Sequence, residues 1–262
     1  DQAPLITQLK KNNKFTYTPG SRTTTQGSRT YQVNGFNLPS VTTILNRTKD
    51  QGFLKKWKDR IGHEEAKRIF NLSSKRGTAM HKFLEKHIAG TGYEDLTDIG
   101  VEAKPMAQKI IETGLAPVSK YYGSEVTLYY PGLYAGTTDL ICRNNGLDTI
   151  VDFKQANQPK RKEWVDDYYM QIAAYAMAHD QIYGSNIQQG IIMVCTPDLY
   201  LQEFRFQDAD MRKWRHGFLK RVDQYYDLQR DEKEQANITI EDNDFLTKAQ
   251  QENKQGNPME RN

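Results

Sequence analysis

The stretch Gly136-Thr137-Thr138-Asp139, followed by Asn144-Asn145-Gly146 and then Leu147-Asp148-Thr149-Ile150-Val151-Asp152-Phe153-Lys154, decides how this chain is read. Asn-Gly between two β-branched, apolar runs is a strong hairpin signal, because the tight turn needs residues that tolerate positive φ. Strands are predicted over 133–143 and 147–154. An aromatic and β-branched run at 121–130 gives another before them, with Pro131-Gly132 as the turn. Three strands at such short spacing predict an antiparallel meander. Side chains two apart on a strand share a face. Asp152 and Lys154 therefore point one way and Phe153 the other, into a core. The hairpin folds Asp139 back toward that pair, so two carboxylates and an ammonium converge at one end of a sheet.

Such a group has a chemistry. Two carboxylates held close repel each other unless a cation sits between them. A hard divalent ion with oxygen ligands meets that need, and Mg²⁺ suits it. The ion acidifies a bound water and neutralises charge on phosphate oxygens. Lys154 is then placed to position or deprotonate the water, or to offset developing negative charge. The bland alternative for a bare Asp-x-Lys is a surface ion pair on a strand. It explains less well why Asp152 ends the apolar run of a central strand. Glu125, on the strand before, is either a further acidic ligand or an exposed strand residue. His81, early in a helix within Arg76-Gly77-Thr78-Ala79-Met80-His81, is either a polar-edge histidine or a metal ligand.

Outward from this centre the pattern alternates. Upstream, Ser40 caps a short helix after Leu38-Pro39, apolar spacing gives a helix over 53–70, and Ser73-Ser74 interrupts before a second helix at 76–89. A third helix is expected near 101–113. Downstream, a long helix at 161–182 carries Trp164, Tyr168, Gln171 and Tyr175 on one stripe. Gln171 is polar among Met170, Ile172, Ala173 and Ala174, which implies a specific partner. The aromatics either stack on bases or pack in the core. Strands at 190–196 and 199–206 and an amphipathic helix at 208–230 complete one α/β domain with a mixed sheet. Residues 10–30 read as a flexible or hairpin-forming leader, and 231–262 as a disordered acidic tail.

The chain has 262 residues and a net charge of +3. No apolar run approaches the ~18 residues of a membrane span, and the first residues lack a signal-peptide layout. Cys142 and Cys195 are too few for a disulfide scaffold and sit in predicted strands, so buried, reduced thiols in an intracellular compartment are expected. Charge is unevenly spread: residues 47–86 hold 12 Lys/Arg against 5 Asp/Glu, and 231–262 hold 4 against 8. A body facing a polyanion explains this, and so do solvated helix faces.

The order His81 … Glu125 … Gly136-x-x-Asp139 … Asp152-Phe153-Lys154 … Gln171-x-x-x-Tyr175 resembles the PD-(D/E)XK nuclease superfamily, in the branch of RecB-like and mitochondrial genome maintenance exonucleases, with phage-encoded exonucleases nearby. Leu38-Pro39-Ser40-Val41-Thr42 resembles that subgroup too, and the likeness spans about residues 36–206. It implies a restriction-endonuclease-like core, a mixed sheet flanked by helices, in a single domain over 36–230 after a polar leader at 1–35. It implies a Mg²⁺ or Mn²⁺ site from His81, Asp139, Asp152 and the Phe153 carbonyl. Catalytic roles fall to Lys154, Asp152, Asp139, Glu125 and Gln171. Gly136-x-x-Asp139 lacks the proline of the superfamily name, as RecB-like members do. The basic helices at 47–89 then become an arch over single-stranded DNA, with Lys55, Lys56, Trp57, Arg76 and Lys82 on the strand, and Lys160, Arg161 and Tyr175 adding contacts. The implied activity is an exonuclease acting on single-stranded ends, as a monomer without organic cofactor or membrane. The alternatives are a duplex or structure-specific endonuclease, and a recombination accessory protein with a vestigial site.

Overall fold

A computed structural model describes residues 8–162 and 165–255. The expected meander is its centre. β5 (Val118–Tyr130), β6 (Tyr134–Asn144) and β7 (Leu147–Gln155) pair antiparallel in sequence order. A crossover helix after β7 lets β8 (Gln189–Cys195) pair parallel to it, and β9 (Leu201–Gln207) returns antiparallel. The short β1 (Lys10–Lys11) runs parallel to the far edge of β5. The result is a mixed six-stranded sheet flanked by helices. Every residue of β8 is buried, as a strand covered on both faces must be.

Alternation along the strands feeds two cores. Leu140, Cys142, Val151, Phe153, Ile191 and Met193 pack against α3 (His63–Ala89) and α4 (Asp98–Lys109). Ile141, Ile150, Ile192 and Val194 face α1 (Val41–Thr48), α5 (Asp166–Tyr183) and α6 (Asp208–Gln255). Phe153 points away from the Asp152–Lys154 side, as alternation requires. Cys142 and Cys195 are buried free thiols, and burial pushes them up to about 12 and about 11. Among the described residues no helix is long and apolar enough to cross a membrane.

Three expectations need correction. Ser73-Ser74 does not break a helix: α3 runs through it, because the Ser73 hydroxyl bonds to Asn157 Oδ1 (3.0 Å) instead of competing with the backbone. The break falls earlier, at Gly62 with φ 93°, which ends α2 (Gly52–Ile61). The expected helix at 161–182 begins only at Asp166, and Trp164 lies outside the described residues. The acidic tail is helical as far as Gln255. Residues 231–255 contain no glycine or proline and are rich in Glu, Lys and Gln, so propensity sustains a helix there without burial. In the leader it is the hairpin-forming alternative that holds. β2 (Gly20–Thr25), β3 (Ser28–Val33) and β4 (Phe36–Pro39) form a small antiparallel sheet, with Tyr31, Val33 and Leu38 packed on Tyr129 and Ala135. Ser40 caps α1 as expected, accepting from the Thr43 N–H at 3.0 Å.

The buried residues of α6 are Met211, Phe218, Val222 and Tyr225; from Arg230 to Glu252 every residue except the half-buried Ala249 is exposed. Phe218→Ala is therefore expected to cost about 3–5 kcal/mol in urea unfolding, as a buried aromatic truncation does. Ending the chain after Arg230 should cost less than about 1 kcal/mol in the same assay, since only exposed contacts are lost.

Candidate active site

Two turns set the site. Asn145 and Gly146 adopt φ 51° and 77°, the mirror-image turn that suits strand twist, so Asn144 pairs with Leu147. The register continues through Leu140 opposite Val151 and carries Asp139 to the position across from Asp152. On the other side, Ser124 opposite Leu140 and Val126 opposite Thr138 bring Glu125 across from Asp139. Three carboxylates stand in a row over β5, β6 and β7. Glu125 itself sits at φ 52°, a left-handed conformation that costs a non-glycine residue about 1–2 kcal/mol.

The β6–β7 ladder stops at Leu140–Val151, and a side chain takes over. Asp139 Oδ2 accepts the Phe153 N–H at 2.7 Å and lies 3.2 Å from His81 Nε2. The other ring nitrogen of His81 is 2.8 Å from the Gly77 carbonyl, one turn back on α3, and so donates to it. Lys154 Nζ lies 2.8 Å from Asp152 Oδ2, donates to Gln171 Oε1 at 2.8 Å and sits 5.0 Å over the Tyr168 ring. Gln171 Nε2 donates to the Tyr175 hydroxyl at 3.0 Å. Gly136 belongs to this chain of contacts: a Cβ there would meet Tyr175 Cε1 at 2.6 Å.

Burial alone would raise Asp139, but the His81 imidazolium and the Phe153 N–H reverse this and hold it at about 2. Burial raises Asp152 as well; Lys154 opposes, Asp139 adds its repulsion, and the carboxyl settles at about 7. Burial disfavours the charged ring of His81, yet the Asp139 carboxylate and the Gly77 carbonyl outweigh it and set about 10. Burial likewise opposes the Lys154 ammonium, and the Asp152 carboxylate more than compensates, so it stays charged. Glu125 is exposed at the mouth of the cleft, but partial desolvation, then Asp139, push it up to about 7.

The donor chemistry fits a hard divalent cation. Asp139 and Asp152 are buried neighbours of like charge, and Asp152 Oδ2 makes no hydrogen bond of good geometry although it is buried beside the Lys154 ammonium. Among the described residues no three His, Cys, Asp or Glu side chains already form a cage. The two carboxylates are instead held by His81 and Lys154, so a cation would take over part of what His81 now supplies to Asp139.

No protein-family model matches the chain. Among solved structures, a candidate exonuclease from Eubacterium rectale aligns with a TM-score of 0.43 at 15% identity, covering 59% of this chain and 67% of that one. An alkaline exonuclease from Laribacter hongkongensis aligns at 0.29 and 16%, covering 59% and 84%. Over 204 residues, 72% of this chain, the sequence is 27% identical to human mitochondrial genome maintenance exonuclease 1, and it spans 58% of that protein's length.

The residues singled out in the sequence divide by location. His81, Lys82, Glu125, Asp139, Asp152, Lys154, Gln171 and Tyr175 line one open cleft of about 640 Å³, with Phe153 meeting Asp139 through its backbone. Tyr175 lies at the base, 2% exposed, where it supports Gln171 and presents little surface to a ligand. Arg76 is displaced from the role expected of it. It is 6% exposed, paired with Glu102 at 2.8 Å and bonded to Gln155 and Asn157, so it ties α3 to α4 and to the end of β7. Lys55, Lys56, Trp57, Lys160 and Arg161 do not line the cleft. Trp57 packs edge-on against Phe70, which does, and the Lys160 backbone is held by the Gln202 side chain. Sequence reading missed Arg22, Arg29 and Tyr31 in the cleft wall. The alternation around Gln26-Gly27 was the available signal.

Gly136→Ala should lower stability by about 1–3 kcal/mol by calorimetry, as overpacking against a buried ring does, and weaken the Gln171–Tyr175 contact. An unchanged melting temperature would show that Tyr175 can move aside.

Proposed function

We propose that the protein is a divalent-cation-dependent deoxyribonuclease that hydrolyses phosphodiester bonds from the ends of single-stranded DNA, as an intracellular monomer without an organic cofactor. The observation that carries this reading is the convergence of Asp139, Asp152 and Lys154 on the floor of an open cleft. The similarity to a protein named as an exonuclease supports the choice of reaction.

Mg²⁺ or Mn²⁺ would be held by Asp139, Asp152, the Phe153 carbonyl and His81, and when bound would supply an acidified water and neutralise phosphate oxygens. The chain's own part is positional and electrostatic. Lys154 has three N–H donors; Gln171 takes one at 2.8 Å, and the Asp152 carboxylate lies 2.8 Å away as an ion-pair partner. A further N–H is left for a water or a phosphate oxygen, where the charge stabilises developing negative charge. Gln171 orients Lys154, and Tyr175 orients Gln171. Glu125, at about 7, is poised to exchange a proton near neutrality.

Lys154→Ala or Asp152→Asn is expected to lower turnover of linear single-stranded DNA by at least ~10²-fold, with folding retained. Closed single-stranded circles should stay intact where linear strands are degraded, and EDTA should stop the reaction. Full activity in Lys154→Ala would overturn the reading, and cutting of circles would make the enzyme an endonuclease.

Ligation needs a charged carboxylate and a neutral imidazole. With Asp152 at about 7 and His81 at about 10, both give up protons as a cation binds. Affinity for Mn²⁺ should therefore rise with pH, by at least about tenfold from pH 6 to pH 8 in titration calorimetry. A flat profile would remove these groups from the cation site.

A further inference from the structure

We infer that the β2–β3–β4 sheet is a second jaw of the cleft, in which Arg22 and Arg29 grip backbone phosphates of a single nucleic-acid strand opposite α3. This deepens the proposed function and rests on it. Arg22 pairs directly across from Tyr31, and Thr24 across from Arg29, so both arginines share one sheet face with Tyr31 and Val33. That face is divided along its length. Tyr31 and Val33 are buried against Tyr129 and Ala135. Arg22 and Arg29 continue past that core, exposed, and line the same cleft as His81, Asp139, Asp152 and Lys154.

The charges in the cleft make this wall necessary. Glu85, Glu125, Asp139 and Asp152 all line it and would repel a phosphate chain. Of the exposed cations on its walls, Lys82 is already paired with Glu85 at 3.7 Å. Neither Arg22 nor Arg29 has a carboxylate partner among the described residues. A guanidinium without a partner, held beside an acidic floor, is suited to bidentate contact with phosphate. Phe70, 46% exposed, faces the same cleft from α3 and offers a surface for base stacking.

The jaw is also fixed in place. The Tyr31 hydroxyl bonds to Thr137 Oγ1 at 2.8 Å, two residues before Asp139 on β6. The Arg29 N–H donates to Thr43 Oγ1 at 2.9 Å, and its carbonyl accepts the Ser40 N–H at 3.0 Å. The position of the arginines is thus tied to the strand that carries Asp139 and to the start of α1.

The test is binding of a fluorescent oligothymidylate to the full chain carrying Lys154→Ala, over a series of KCl concentrations. Adding Arg22→Gln and Arg29→Gln should weaken binding roughly tenfold or more at low salt. It should also reduce the slope of log K against log salt by about 1.4, which is about 0.7 for each lost contact. Each single variant should give about half the change in slope. Lys220→Gln with Lys233→Gln, on the exposed side of α6, should leave the slope unaltered. Equal affinity and slope in parent and double arginine variant, with equal melting temperatures, overturn the jaw while leaving the nuclease reading in place. Failure of the parent to bind at all overturns the nucleic-acid reading, and the jaw with it.

Discussion

Glu125, Asp139 and Asp152 form a row of carboxylates across three neighbouring strands, and the mutual repulsion of that row organises the site. Two like charges ~4 Å apart cost about 4 kcal/mol at an effective dielectric near 20, and burial adds a desolvation penalty to each. The fold answers with two cations: His81 from α3 on the central Asp139, and Lys154 on Asp152 at the β7 end. The row does not ionise uniformly. Asp139 is held at about 2 while Asp152 and Glu125 rise to about 7. Groups of the same type are thereby separated in acidity by position alone, an arrangement typical of sites that move protons and bind cations.

A second set of contacts keeps the ammonium in place. Lys154 is long and flexible, and a free lysine would lose rotamer entropy on being fixed. Gln171 on α5 meets it from the face of the sheet that carries Asp152, and Tyr175, one helical turn on, holds Gln171. Tyr175 fits only because Gly136 leaves room for its ring. The first residue of Gly136-x-x-Asp139 is therefore a packing requirement, and the last is an electrostatic one. Tyr31 adds a brace from the small sheet through Thr137, so the strand bearing Asp139 is held from two sides.

Much of this was legible along the chain because it depends on local rules. Strand alternation put Asp152 and Lys154 on one side and Phe153 on the other. The Asn145-Gly146 turn admits one register, and that register carries Asp139 to Asp152. The isolated polarity of Gln171 correctly indicated a partner, which is Lys154. Failures came where a local preference lost to a tertiary contact. Ser73 resembled a break but is satisfied by Asn157. Arg76 resembled a phosphate ligand because it lies in a basic run, yet Glu102, Gln155 and Asn157 hold it inside. The polar leader left a flexible chain and a hairpin both open, and the buried Tyr31, Val33 and Leu38 decide for the hairpin by anchoring it.

The sequence alone determined the meander, the pairing of Asp152 with Lys154 on one face, and the approach of Asp139, because period-two alternation and a two-residue turn act over a few residues. Only the tertiary structure decided which cations meet which carboxylates and which basic residues reach the cleft. Those outcomes depend on α3, α5 and the β2–β3–β4 sheet, which lie tens of residues from the meander. Their approach is fixed by the packing of apolar faces on either side of the sheet, and the spacing of charged residues carries no record of it.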